Sequence, residues 1–274
     1  MFRGKSLLLC LFLLGTLGCG VAPSNTNSVL RLATTTSTRD SGLLDEILPA
    51  FEQLHSTRID VIAVGTGKAL KLGEAGDVDV VFVHARTAED AFMQASHGIR
   101  REDVMYNTFE LLGPADDPAV IKDLQVVEAL QKIATGNFRF ASRGDDSGTH
   151  KRELRLWQKG GGLTEWSDYV DTGQGMGSTL VIANQMQAYV LADRGTYLRF
   201  REKIDLAPLA AQSAELRNPY GIMVVNPDKH PDVNSEMANR LVDYIISPNT
   251  QQAIANFQVD REPLFVPLQV SAPQ

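Results

Sequence analysis

Short apolar runs alternate with segments of helical periodicity along most of the chain, and this alternation constrains the fold more than any single motif. Val29–Thr34 and Ile59–Val64 are typical of strands, and between them Leu43, Leu44, Ile47, Leu48 and Phe51 recur at helical spacing. The same alternation then predicts helices at Lys68–Glu74 and Ala88–His97 and strands at Val78–Val83 and Tyr106–Leu112. A βαβα order of this kind predicts an α/β fold with a mostly parallel sheet.

A second series of alternating segments begins after Gly113-Pro114 and ends near Asn218-Pro219. Its predicted elements are helices at Leu124–Ala134 and Gly148–Gln158, a strand at Phe138–Ser142 and a long helix at Thr179–Asp193 with Ile182, Met186, Tyr189 and Val190 on one face. A strand at Gly221–Val225 and helices at Val233–Ile246 and Thr250–Phe257 are predicted to follow. We therefore expect two lobes, residues 29–112 with 219–274 and residues 113–218. The chain would cross twice between them, and a cleft between lobes is a usual ligand site in α/β proteins.

The N-terminus has the layout of an export signal rather than of a folded element. Arg3 and Lys5 precede the apolar run 7–14, which is too short to span a bilayer comfortably, and small residues follow. Leu17-Gly18-Cys19 resembles a bacterial lipoprotein cleavage box, with Thr16 in place of the usual aliphatic residue. We predict a signal peptide at residues 1–19, a lipid on Cys19 and a polar tether at 20–28, ordinary signal cleavage being the alternative. The protein would then work outside the cytoplasm.

Charge and cysteine content exclude several classes of function. Loss of Arg3 and Lys5 with the signal takes the formal net charge from −7 to −9, and so acidic a chain lacks the basic footprint that nucleic-acid binding needs. An anion site would have to be built locally. Both cysteines lie in the signal, so no disulfide framework is expected in the mature domain. The histidines show no metal-ligand spacing, and we expect neither a metal nor a cofactor.

Several predicted turns from strand to helix are rich in Ser, Thr and Gly. The segments are 33–42 (ATTTSTRDSG), 64–70 (VGTGKAL) and 173–180 (GQGMGSTL). Such turns direct unpaired backbone N–H groups toward one point, and hydroxyls there add uncharged donors, so an anion fits. Ordinary helix capping is the alternative at each turn, and whether Ser178 or Thr179 also faces a ligand stays open. Segment 64–70 is no P-loop, because Ile62 and Ala69 stand where Gly and Ser or Thr are required.

A fourth such turn, residues 142–150 (SRGDDSGTH), is the one in which we expect an arginine, Arg143, beside the ligand. The guanidinium of Arg143 suits an oxyanion, and Ser147 and Thr149 bring hydroxyls. Asp145 could hold Arg143 in place or accept a proton from a ligand. An ordinary Arg–Asp pair on a loop is the alternative. Taken together, the turns predict a site where neutral donors supply most of the stabilisation of a small ionised oxyanion.

These segments, in this order, resemble the tungstate-binding proteins of ABC importers. The resemblance implies a type II periplasmic binding fold, in which two α/β lobes are joined by a two-segment hinge and tungstate, or molybdate, lies between them. It also implies a membrane permease and an ATPase as partners, and we expect a monomer and no catalysis. The matching segments are Thr34-Thr35-Thr36-Ser37 with Ser41-Gly42-Leu43-Leu44, Gly65–Leu70, Val83–Arg86, Met105–Asn107, Ser142–Asp145 with Ser147–His150, Gly175–Gly177, Ala188-Tyr189, Asp193–Tyr197 and Asn218–Gly221. By motif position the ligand-binding residues would be Thr35, Thr36, Ser37, Thr66, Arg143, Ser147 and Thr149, with Thr179 a weaker match.

Two other functions stay open at this point. The spacing of Arg143, Asp145, Ser147 and Thr149 also resembles the signature of phosphate-binding proteins of the same fold. Phosphate keeps a proton at neutral pH and gains from an acceptor carboxylate, whereas tungstate carries no proton. If Asp145 points at the ligand, phosphate is favoured, and if it only braces Arg143, tungstate is favoured. A secreted hydrolase that uses Ser147 is the alternative from another class, although the sequence places no base for that serine.

Overall fold

The structure is a computed structural model that describes residues 1, 28–163 and 166–269. Apart from Met1, the predicted signal peptide with Cys19 lies outside the described residues. The same holds for residues 20–27 of the predicted tether. None of the helices in the described part is both long and apolar enough to cross a membrane.

Helices and strands alternate as the sequence predicts, and the α/β class is confirmed. The helices are α1 Thr36–Ser41, α2 Leu43–His55, α3 Thr66–Ala75, α4 Arg86–Gln94, α5 Val126–Thr135, α6 Gly148–Lys159, α7 Met176–Met186, α8 Arg194–Phe200, α9 Ser235–Ile246 and α10 Pro248–Asn256, with single 3-10 turns at Arg201–Lys203 and Ala214–Leu216. The strands are β1 Ser28–Thr35, β2 Thr57–Val64, β3 Val80–Val83, β4 Gly98–Pro114, β5 Phe140–Ser142, β6 Tyr169–Asp171, β7 Val190–Asp193, β8 Leu206–Pro208, β9 Arg217–Val225, β10 Gln258–Val259, β11 Glu262–Pro263 and β12 Val266–Pro267.

The principal sheet is mixed, so the expectation of a mostly parallel sheet is wrong. Its strand order is β12-β4-β9-β3-β1-β2, with β7 and β8 paired to the far end of β4. Only β1, β2 and β3 run parallel within it, whereas β9 is antiparallel to β3 and to β4. The reason is topological: β4 carries the chain away from the first lobe and β9 brings it back, so the two run in opposite directions.

Strand β4 is longer than the predicted strand at Tyr106–Leu112, because it belongs to both lobes. Its first part pairs with β9 as far as Thr108 opposite Arg217, and from Phe109 onward it pairs with β7 and then β8. Phe109 and Leu111 pack in the core of the second group of elements. The predicted division at residue 112 thus falls inside this second part of β4, and we propose the lobe boundary near residue 108.

Separate hydrophobic cores support the two groups of elements. The predicted apolar face of α2 is confirmed, since all five of its periodic residues are buried and pack with Phe82 and Ile222 from the sheet. In the second group, Phe140 and Trp157 pack edge to face with ring centroids 5.3 Å apart, beside Tyr189. Each group therefore has its own packed interior, although Leu198 of α8 packs with the first core.

The prediction of one long helix at Thr179–Asp193 is wrong, because the segment forms a helix followed by a strand. Helix α7 begins earlier, at Met176, and ends at Met186, where the left-handed φ of 50° at the C-cap residue Gln187 stops the helix. Residues 188–192 are all buried, and β7 pairs antiparallel with β4. An unbroken apolar run fits a doubly buried strand as well as a helix, which explains why periodicity failed here.

Candidate functional site

A cavity of about 790 Å³ lies between the two groups of elements and is lined by both. Seven of the eight residues predicted from the sequence line it: Thr35, Thr36, Ser37 and Thr66 from the first lobe, and Arg143, Ser147 and Thr149 from the second. The exception is Thr179. Four separate turns between strand and helix thus meet at one place, as their composition predicts.

The first wall is the turn from β1 into α1, where hydroxyls are linked to one another. Thr35 caps α1, and its Oγ1 accepts a hydrogen bond from the backbone N–H of Thr38 at 3.2 Å. The same Oγ1 lies 3.1 Å from Ser37 Oγ and 2.6 Å from Thr38 Oγ1. Thr36 and Ser37 are exposed to the cavity while Thr35 is buried. Thr35 therefore organises the turn, and its two neighbours present free surface to a ligand.

Next to this wall, α3 begins at Thr66 with Gly65 as its N-cap residue. A Cβ built on Gly65 or on Gly67 would have no heavy atom within 4 Å, so the backbone here is open toward the cavity. This open backbone allows a ligand to approach the first turn of α3 closely, as the two glycines predict.

The second wall is the loop between β5 and α6, which is held by a local network. Gly144 has a φ of +58°, and Ser147 caps α6 by accepting a hydrogen bond from the His150 backbone N–H at 3.3 Å. Arg143 donates from a terminal guanidinium nitrogen to Asp145, whose other carboxylate oxygen accepts from the Ser147 backbone N–H at 3.2 Å. Thr149, in the first turn of α6, is buried but reaches the lining.

Asp145 braces the loop and is not among the residues that line the cavity. Burial alone would raise the pKa of its carboxyl, but hydrogen bonds from Ser147 and the charge of Arg143 hold that pKa below its usual value. The carboxylate is therefore ionised at neutral pH and occupied by Arg143 and Ser147. It fixes the direction of the guanidinium rather than receiving a proton from a ligand.

One N–H donor of Arg143 has no acceptor in this arrangement. Its Nε is buried and has no hydrogen-bond partner among the described residues, although the side chain lines the cavity. A buried donor without a partner costs free energy, on the order of 1–3 kcal/mol, unless something accepts from it. An acceptor oxygen would meet that need only after a movement of the cavity wall that makes the atom accessible.

Thr179 does not reach the cavity, which corrects one of the predicted site residues. Its side chain is fully buried, and its Oγ1 lies 2.9 Å from Thr172 Oγ1 and 3.3 Å from the Gln174 carbonyl oxygen, to which it donates. The N-cap of α7 is Gly175 rather than Ser178 or Thr179. Because the helix begins three residues earlier than predicted, Thr179 points into the second core, and Gly175, Met176 and Gly177 line the cavity instead.

Basic side chains on the lining were missed by sequence reasoning, so the expectation of a single arginine is wrong. Arg152 follows Thr149 by three residues on α6, a spacing that places both on one helix face. Its guanidinium donates to the backbone carbonyls of Glu215 and Arg217, at 3.3 and 2.9 Å. The basic residues on the lining are Lys68, Arg86, Arg143, Lys151, Arg152, Arg155 and Arg199, and the acidic ones are Asp40, Asp146 and Asp193.

His84, which directly follows β3, is a further cavity residue outside the predicted ligand set, although it lies in a segment that carries the resemblance. Its ring contacts hydroxyls of the first wall on one side and Asn218 of β9 on the other. Its spacing is also a signal, because a residue just after a parallel strand lies at the same sheet edge as Thr35 and Thr66.

The cavity is therefore rich in hydrogen-bond donors and positive charge. Its three carboxylates have partners of their own: Asp40 pairs with Arg39, Asp146 with Lys151, and Asp193 caps α8. Within the described ranges, no group of three or more His, Cys, Asp or Glu residues could hold a metal ion. This arrangement can bind a small anion through its oxygens without a chemical step.

Comparison with known proteins agrees with the geometry. The PBP superfamily domain matches residues 20–249. A tungstate-binding protein TupA of Peptoclostridium acidaminophilum is 46% identical over 241 residues, which cover 86% of this chain and 84% of the relative.

Solved structures give the same answer. The tungstate-binding protein TupA of Desulfovibrio alaskensis aligns with a TM-score of 0.84 and 43% identity over 88% of this chain and 99% of that one. The tungstate ABC transporter structure of Geobacter sulfurreducens aligns at 0.74 and 52% identity over 84% and 98%. The predicted periplasmic binding fold is confirmed, and the chain belongs to the TupA family of tungstate-binding proteins within the PBP superfamily.

Proposed function

We propose that this protein is an extracytoplasmic solute-binding protein that captures tungstate, or the closely similar molybdate, and delivers it to an ABC importer. Hydroxyls of Thr35, Thr36, Ser37 and Thr66 would bind the anion from the first lobe. Arg143, Ser147 and Thr149 would bind it from the second. Membership of the TupA family supports the ligand class, and the cavity chemistry supports the residues.

The observation that carries this choice is the position of Asp145. Its carboxylate is engaged by Arg143 and by the Ser147 backbone N–H, and it lies off the cavity lining. A phosphate that keeps a proton would gain from an acceptor carboxylate directed at it, whereas a fully ionised tetrahedral anion meets donors here. The arrangement therefore favours tungstate over phosphate.

Ser147 fits a structural and binding role better than a nucleophilic one. Its Oγ accepts from the His150 backbone N–H, and the ring Nδ1 of His150 accepts from the Asp146 backbone N–H. The imidazole is thus turned to the loop rather than to the serine. We propose a binding protein and no hydrolytic step.

Transport would follow from closure of the lobes about the two strands that cross between them, β4 and β9. An anion held by donors from both walls stabilises the closed form, which the membrane permease and its ATPase would recognise. We propose that the mature chain is a monomer outside the cytoplasm, tethered to the membrane through a lipid on Cys19.

Calorimetric titration of the chain without its first 19 residues tests the proposal. Tungstate, molybdate, phosphate and sulfate are each titrated at pH 7.5, and we expect tungstate and molybdate to bind at micromolar concentration or tighter. Phosphate and sulfate should bind at least about tenfold more weakly, a difference of about 1.4 kcal/mol. Preference for phosphate would refute the assignment.

An arginine variant tests the binding wall itself. Arg143→Ala should cost about 2–5 kcal/mol of tungstate affinity, because the desolvated anion loses a guanidinium held at the cavity. Arg240→Ala is the matched control, since Arg240 is a surface arginine on α9 paired with Glu236 and lies off the lining. Unchanged affinity in Arg143→Ala would remove Arg143 from the site.

A further inference from the structure

The ring of His84 connects the anion-binding hydroxyls with the strands that cross between the lobes. Its Nε2 lies 3.2 Å from Thr35 Oγ1 and 3.4 Å from Ser37 Oγ, and its Nδ1 lies 3.2 Å from Asn218 Oδ1. A Cβ on Gly148 would lie 3.5 Å from the ring carbon Cε1, so the ring also reaches the first residue of α6 on the opposite wall. His84 is therefore placed to respond to anything bound between the walls.

The amide of Asn218 determines which ring nitrogen carries the proton. Its Nδ2 donates to Asn107 Oδ1 at 2.9 Å, and both asparagines are buried. The Asn218 Oδ1 consequently faces the ring, and since an amide oxygen only accepts, the proton of a neutral imidazole must lie on Nδ1. Nε2 is then an acceptor, and the hydroxyl of Thr35 or of Ser37 donates a hydrogen bond to it.

We propose that His84 is a positioning residue of the anion site, which takes up a proton from solvent on Nε2 when an oxyanion binds. In the neutral form one hydroxyl proton is directed to Nε2. After uptake, Nε2 donates instead, and the hydroxyl that had donated to it is released to donate toward the anion. The imidazolium also adds a positive charge beside the first wall. This inference rests on the proposed binding of an oxyanion.

The surroundings of the ring keep it neutral before the ligand arrives. Desolvation lowers the pKa of His84 below its usual value, while the Asn218 hydrogen bond and the charge of Asp193 act in the opposite direction. The charge of Arg152 lowers the pKa further. The Tyr220 ring packs against the imidazole with centroids 4.7 Å apart. A dianion entering the cavity would reverse this balance by raising that pKa, so binding and protonation favour each other.

The same contacts join the site to the crossing strands. Asn107 of β4 and Asn218 of β9 are direct partners in the strand register, next to Thr108 opposite Arg217, where pairing between the two strands ends. A change in the relative position of β4 and β9 would move the amide that fixes the His84 tautomer. The orientation of the hydroxyls is therefore linked to lobe geometry.

Proton uptake during tungstate binding is the decisive measurement. The mature chain is titrated with sodium tungstate at pH 6 and pH 8, each in two buffers of different ionisation enthalpy, so that the buffer-dependent heat reports protons exchanged. We expect fractional proton uptake at pH 6 and little at pH 8. In the window of uptake, the tungstate affinity should rise by up to about tenfold for each unit by which the pH falls.

Variants locate the proton. His84→Gln keeps an acceptor toward the hydroxyls and a donor toward Asn218 but cannot protonate, so proton uptake should vanish and the pH dependence of tungstate affinity between pH 6 and pH 8 should be lost with it. His55→Gln, on the surface end of α2, is the matched control and should behave as wild type. Histidine NMR of the wild type, which does not depend on the variant folding, should show the His84 pKa raised by tungstate.

The outcomes separate this inference from the proposed function. Absence of tungstate binding by the wild type would refute the function itself. Binding without proton uptake, or uptake that survives His84→Gln and disappears in His150→Gln, would overturn the role of His84 and leave the function standing. A wild-type NMR titration in which tungstate leaves the His84 pKa unchanged would overturn it equally.

Discussion

Replacing Glu153 with glutamine should alter the pH dependence of stability in a calculable way. Glu153 lies on α6 one turn after Thr149, and its side chain is almost fully buried. Its Oε1 accepts hydrogen bonds from Tyr169 Oη at 2.7 Å and from Trp157 Nε1 at 3.3 Å, while Oε2 has no partner among the described residues. Desolvation raises the pKa of this carboxyl to about 7.

The sign and size of the effect on the free energy of unfolding follow from the linkage between folding and protonation of Glu153. The pKa is 4.5 when the group is in water and about 7 in the folded chain, so the folded form binds its proton more tightly. At about 1.4 kcal/mol per tenfold change in proton affinity, the difference is worth about 3 kcal/mol. This contribution is present below pH 4.5 and is lost as the pH rises through 7, because charging the buried carboxylate then opposes folding.

Glutamine keeps the Oε1 acceptor and cannot ionise, so Glu153→Gln should be free of this loss. We expect the free energy of unfolding of the variant minus that of wild type to be near zero at pH 4.5 and to rise to about 3 kcal/mol at pH 8.5. Urea unfolding followed by tryptophan fluorescence measures it, since both tryptophans, Trp157 and Trp166, pack in the second core near Glu153.

Subtracting the wild-type free energy of unfolding from that of the variant cancels the contributions of the titratable groups that the two proteins share. Glu236→Gln is the matched control: Glu236 is an exposed glutamate at the start of α9, and its difference from wild type should stay flat with pH. A Glu153→Gln difference that is constant from pH 4.5 to 8.5 would show that Glu153 ionises in the folded protein as it does in water, and the reasoning from burial would fail.

Two further substitutions test the loop and the core. Gly144→Ala should weaken tungstate binding by at least about tenfold in calorimetry, because the φ of Gly144 is +58° and the new Cβ would lie 2.8 Å from Asp171 Cβ. Gly161→Ala is the control, since Gly161 also has a positive φ but has open space around it, and its tungstate affinity should be unchanged. Phe51→Ala should lower the free energy of unfolding by about 3–5 kcal/mol in urea titration, because the ring is fully buried in the first core, and a loss below about 1 kcal/mol would contradict that packing.

The turns that line the cavity could be predicted because their chemistry is local. Seven of the predicted site residues lie at strand ends or at the starts of the helices that follow, and hydroxyls clustered there are visible in the sequence without knowledge of the fold. Thr179 failed for an equally local reason: a helix can begin at any of several glycines, and Gly175 rather than a hydroxyl residue caps α7. A shift of three residues turned the side chain from the cavity into the core.

Other features depended on contacts between distant segments. The direction of β9 relative to β3 and β4 sets the mixed sheet, and no periodicity within one strand reveals it. The His84 ring lies beside Thr35 and Ser37, and its other nitrogen contacts Asn218, which is 134 positions away in the chain. The role of Arg152 likewise depends on backbone carbonyls of residues 215 and 217. Burial patterns report which side of an element is covered, but not by what.

Net charge is the property whose meaning changes most between sequence and structure. The chain carries a formal net charge of −7, yet Lys68, Arg152 and Arg155 face the cavity with no acidic side chain paired to them within the described part of the chain. At physiological ionic strength, charges farther than about 8 Å from the ligand are largely screened, so the many surface acids contribute little at the cavity. The local basic lining then governs both the approach of an anion and its retention. An acidic composition therefore excludes nucleic-acid binding, which needs an extended basic surface, but it does not exclude a small dianion, which responds only to the groups within a few ångströms.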